Sequence, residues 1–87
     1  MSPELETLDQ LAGGDLRLSI VRQLYSDDKA FMQGVFGLLS SGDVRLLTTD
    51  EVEVPSWRWR ELFAEGAILK NLDHFVVTIT DQGAKKV

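Results

Sequence analysis

The sequence predicts an α+β domain, with three to four helices and a small antiparallel sheet or a C-terminal β-hairpin. Three observations carry that reading. Apolar residues recur at helical spacing through the first forty positions, separated by capping and turn residues. After Gly42 the period changes, and Val44–Thr48 has strand composition. Near the end, HFVVTIT over 74–80 is a run of β-branched and aromatic residues, the strongest strand signal in the chain. A length of 87 residues, 44% of them hydrophobic and 26% charged, suits one globular domain over 1–87 and is too short for two.

The elements follow in order. Ser2 before Pro3 is an N-cap with proline at the first helical position, and Leu5, Leu8 and Leu11 continue at helical spacing until Gly13-Gly14 stops the run. Asp15 is the expected cap of a second helix to about Ser26, with Leu16, Ile20, Val21, Leu24 and Tyr25 on one apolar stripe. Asp27 and Asp28 open a third, KAFMQGVFGLLSSG, which is apolar on nearly every side and reads as the central buried helix. Gly34 and Gly37 inside it weaken a helix, so another backbone is expected close by on that side. Gly42 is placed as the left-handed residue after its end.

In the second half, Val44–Thr48, a turn at 49–51 and Val52-Glu53-Val54 form a short expected hairpin ending at Pro55. Ser56 can cap a fourth helix that ends at Gly66. This segment opens with "PSWRWRELF", which holds both tryptophans of the chain. Trp59, Leu62, Phe63 and Gly66 follow the spacing i, i+3, i+4, i+7, so Trp59 belongs to the core face and Trp57 points elsewhere. A second hairpin is expected between residues 67–70 and the strand at 74–80. Asp81-Gln82-Gly83 closes it, and a basic, frayed tail follows over 84–87.

Composition excludes several chemistries. With no cysteine there are no disulfides, thiolate nucleophiles or thiolate metal sites. The acidic opening MSPELETLDQ is unlike a signal peptide and no apolar run approaches the length of a membrane span, so a cytoplasmic protein with no membrane role is expected. The single histidine, His74, reads as a hairpin residue at a sheet edge, and no nucleophile elbow accompanies it. Asp27-Asp28 and Asp50-Glu51 are adjacent pairs that cap and solvate rather than converge on a metal. Gly13-Gly14-Asp15 lacks a Walker lysine or a dinucleotide fingerprint. We therefore expect no enzyme, no cofactor, no metal and no small-molecule substrate.

Net charge is −5. Residues 1–43 hold seven carboxylates against Arg17, Arg22 and Lys29, whereas residues 44–87 hold seven against six cations. Nucleic-acid binders usually carry a basic excess, because phosphate neutralisation dominates their affinity. Here such a role would rest on a local patch in the second half.

The helix end "LLSSGDVRLL" and the closing strand "TITDQG", following earlier helices, resemble the winged-helix family over residues 15–83. The resemblance threads two ways. In one, the helix at 28–41 is the recognition helix, the strand at 44–48 pairs with that at 75–80, and the fourth helix is an insertion within the wing; Lys29 is then the only basic residue on a largely apolar reader. In the other, 28–41 is the first family helix, 56–65 the recognition helix and 68–80 the wing, so that Arg58, Arg60 and Lys70 face DNA. Two roles follow. A protein-interaction or adaptor module, meeting a partner or a second copy through an acidic surface and an exposed Trp57, is favoured by charge. The alternative is a small DNA-binding transcriptional regulator using Trp57, Arg58, Arg60 and Lys70, with the tail lysines on phosphate.

Overall fold

The computed structural model describes residues 2–87. Helix α1 (Pro3–Leu11) begins as its sequence dictates: the Leu5 amide donates to Ser2 Oγ at 3.2 Å, and Glu4 and Glu6 complement the helix dipole. It buries Thr7, Leu8 and Leu11. The next segment departs from expectation. Asp15 caps nothing, and the chain first forms a two-residue strand, β1 (Leu16–Arg17), before the short helix α2 (Leu18–Arg22). Leu16 and Arg17 pair with Val77 and Val76. The pairing covers one edge of a strand whose backbone groups would otherwise lie unpaired, and that outweighs a capped helical turn. As a result Leu18 and Val21 enter the core, while Ile20 stays 43% exposed.

Helix α3 (Asp28–Ser40) starts where Asp27 Oδ1 accepts from the Ala30 amide at 2.7 Å. It ends at Gly42, whose φ of +82° suits glycine. The Gly42 amide donates to Leu39 O and the Asp43 amide to Leu38 O, closing the helix by a Schellman arrangement. Its inner face buries Phe31, Val35, Leu38 and Leu39. The helix is not buried all round, however: Gln33 and Gly37 are exposed and Met32 and Phe36 half-buried. At Gly34 the expected close approach is a side chain rather than a backbone. A Cβ there would lie 2.5 Å from the Tyr25 ring, whereas one at Gly37 would meet no atom within 4 Å.

Strand β2 (Val44–Thr48) pairs antiparallel with β3 (Phe75–Ile79) from Val44↔Ile79 to Thr48↔Phe75. The sheet order is β1-β3-β2, with β3 central. The first expected hairpin shrinks to one bridge, Leu47↔Glu53, supported by the Val54 amide on Leu46 O at 2.8 Å. The second is not formed. Residues 67–70 and 72–74 are 3-10 turns, anchored by the fully buried Ile68, because both edges of β3 already have partners in β1 and β2. The expected fourth helix is a 3-10 turn, Ser56–Arg58, running into a wide π turn, Arg60–Ala64, and Ser56 makes no capping bond.

Asp81-Gln82-Gly83 closes no hairpin and instead opens α4 (Asp81–Ala84), capped by Thr80 Oγ1 accepting from the Gly83 amide at 3.1 Å. The tail expected to fray is held by Lys86, whose Nζ lies 2.8 Å from Asp43 Oδ2. The whole is an α+β arrangement of helices on a three-stranded antiparallel sheet, compatible with a winged-helix-like fold. Among the described residues no helix is long and apolar enough to cross a membrane.

Candidate functional site

The segment 55–66 crosses α3 because its apolar residues need the core. Leu62 and Phe63 are buried, and the Phe63 ring lies 6.4 Å from that of Phe31 and 6.5 Å from that of Phe36. Trp59 is half-buried against the core, and its Nε1–H donates to Val54 O at 3.2 Å. That bond ties the start of the segment to the back-folded strand end. Trp57, by contrast, is 77% exposed.

Between α3 and the Arg60–Ala64 turn lies an open groove of about 580 Å³. Its apolar surface comes from Met32, Phe36, Gly37 and Phe63. Lys29 from α3 and Arg60 from the facing turn are its only charged lining residues. The groove exists because small residues sit on both walls: Gly37 has open space where a Cβ would be, and Ala64 faces it from the turn. Lys29, Met32, Gln33, Phe36 and Gly37 recur at spacings of three, four and seven or eight, so the lined face of α3 is two turns long, about 12 Å.

Three of the four residues singled out from sequence fall in the 56–64 turns and the fourth in the next turn. Arg60 lines the groove; Trp57 precedes it by one turn; Arg58 is half-buried; Lys70 is exposed at the end of the 3-10 turn at 67–70. Among the described residues Lys29, Arg58, Arg60 and Lys70 enter no ion pair, the two that form being Arg22–Asp28 and Lys86–Asp43. Lys29, Met32, Phe36 and Gly37 were not predicted as site residues, although the excess of apolar residues on their helix and its unexplained glycine were signals for them.

A second polar constellation sits at the other end of α3. The Asp43 carboxylate, 2% exposed, accepts from Ser41 Oγ at 2.9 Å, Gln82 Nε2 at 3.1 Å and Lys86 Nζ at 2.8 Å. Gln82 Nε2 also donates to Ser41 O, and Thr80 Oγ1 to Gly42 O, both at 2.6 Å. Desolvation pushes the Asp43 carboxyl up, but the bonds from Lys86, Ser41 and Gln82 outweigh it and hold the group below its ordinary value. Both oxygens of this carboxylate thus accept from donors of the chain itself, so it fastens α4 to the end of α3. Tyr25 shifts the other way: burial raises its hydroxyl, which accepts a long bond of 3.4 Å from Thr7 Oγ1.

Among the described residues no group of three or more histidine, aspartate or glutamate side chains is placed to hold a metal ion. His74 is exposed at the end of the 72–74 turn, just before β3. In comparisons with known proteins, no family model, no curated protein and no solved structure matches this chain.

Proposed function

We propose that this chain is a non-enzymatic protein-interaction or adaptor module built on a winged-helix-like scaffold. The order α1, β1, α2, α3, β2, β3 with the sheet order β1-β3-β2 supports the first of the two threadings, in which α3 occupies the recognition-helix position and residues 49–74 are an insertion between the wing strands. The observation that carries the function is the groove. A helix that reads bases presents polar and basic side chains outward, whereas α3 lines the groove with the half-buried Met32 and Phe36 and with Gly37, beside one exposed amide, Gln33, and one cation, Lys29. The insertion also packs against that helix through Phe63, where a DNA groove would have to lie. An apolar depression with charge at its rim suits a protein surface.

The alternative, a small DNA-binding regulator, draws on the exposed Arg60 and Lys70, which form no ion pair among the described residues, together with Arg58. A fluorescence anisotropy titration with mixed-sequence duplex DNA at about 50 and about 200 mM salt separates the two. No binding at either salt is expected. A complex that weakens steeply between them would transfer the function to DNA.

A further inference from the structure

We infer that the groove between α3 and the Arg60–Ala64 turn receives an acidic amphipathic helix from a partner protein; this rests on the reading of the chain as a protein-interaction module. Charge complementarity names the occupant. The only charged lining side chains are Lys29 on one wall and Arg60 on the other, and neither has an ion-pair partner among the described residues. The floor between them is largely apolar, with Gln33 as its one uncharged polar side chain. A ligand matching that pattern carries apolar residues along its centre and carboxylates on both flanks, and the guanidinium of Arg60 can take a carboxylate in a fork.

Geometry selects a helix over an extended segment. Both walls are helical, so their backbone groups are bonded internally and offer nothing to a strand, whose own amides and carbonyls would be left unmatched on an apolar floor. A helix satisfies its own backbone and needs only side-chain contact. The two-turn length of the lined face accommodates anchors at i, i+3, i+4 and i+7. Gly37 gives the notch: it weakens α3, no atom of the described residues lies within 4 Å of where its Cβ would be, and its absent side chain leaves room for a bulky anchor.

A second copy of this chain is the poorer occupant. Its acidic helix, α1, buries Leu8 and Leu11 in its own core, and two chains of charge −5 repel. The same net charge repels an acidic partner at long range while Lys29 and Arg60 attract it at contact. Salt screens both, so affinity should change little with ionic strength, unlike the steep loss that a DNA complex would show.

The test uses two fluorescein-labelled, stapled helical peptides of about 12 residues with leucines at the four anchor positions, flanked in one by glutamates and in the other by lysines. The glutamate peptide should bind at least about tenfold more tightly. Lys29→Glu combined with Arg60→Glu should reverse that order, and Gly37→Met should abolish binding while the protein still melts cooperatively. Equal binding of both peptides overturns the acidic-helix inference and leaves a protein-binding groove in place. Binding of neither overturns the inference, as does a concentration-dependent dimer that excludes both peptides. Capture of duplex DNA with a steep salt dependence overturns the interaction reading beneath it.

Discussion

Trp57 and Trp59 stand two positions apart and do different work. The spacing of Trp59 with Leu62 and Phe63 predicts a core residue, and the structure half-buries it with its indole N–H on Val54 O. Its environment is less enclosed than that of a fully buried tryptophan, so Trp59→Ala should cost about 2 kcal/mol, below the 3–5 kcal/mol range of full burial. Urea unfolding of the variant measures it. Trp57→Ala should leave the melting temperature within about 2 °C of the parent, since a side chain 77% exposed contributes little to the fold. A larger drop would show that it packs. At Asp43 sequence was silent, because a lone aspartate after a glycine looks like any helix end. Its partners Gln82 and Lys86 lie some forty residues on, a distance no local pattern spans.

Two helices with side-chain caps, α1 and α3, were legible, whereas the Thr80 cap of α4 was not. The Ser2-Pro3 and Asp27-Asp28 starts and the Gly42 stop are local signals, and each is used as written. Elements decided by tertiary pairing were not. Leu16-Arg17 leaves a capped helix to cover the edge of β3, and residues 67–70 lose their expected strand because β2 takes the other edge. The groove was half legible: the excess of apolar residues marks the helix at 28–41 and reads as burial all round, but only the fold shows that the 60–64 turn covers part of it and leaves the rest open. Two glycines test the packing of these elements. Gly83→Ala would drive a Cβ into the Asp43 carbonyl and should cost about 2–3 kcal/mol. Gly37→Ala should stabilise the protein by up to about 1 kcal/mol, since its surroundings are open. Thermal melts of the pair should therefore move in opposite directions.

For the whole molecule, a domain of 87 residues has a net stability of about 5 kcal/mol, so single contacts matter to its survival. The Asp43 constellation links that stability to pH. Its folded carboxyl is held below the ordinary 3.8, so its contribution is fully present above the unfolded value and is lost as pH falls through the folded one. Lys86→Ala removes one of the three donors that oppose desolvation, so acid unfolding should begin at higher pH in the variant. Melts between about pH 2 and pH 6 would show the displacement. An identical acid limb in both proteins would mean that Lys86 does not hold the site.

A partner that docks on the open face of α3 must perturb the residues lining that face. The most direct measurement is an amide ¹H–¹⁵N spectrum of the protein titrated with the glutamate-flanked helical peptide. Shifts should concentrate at Gln33, Gly37 and Ala64, with the Asp43, Gln82 and Lys86 amides at the far end of α3 unmoved. A spectrum that does not change, or that changes at the α4 end instead, would contradict docking on that face.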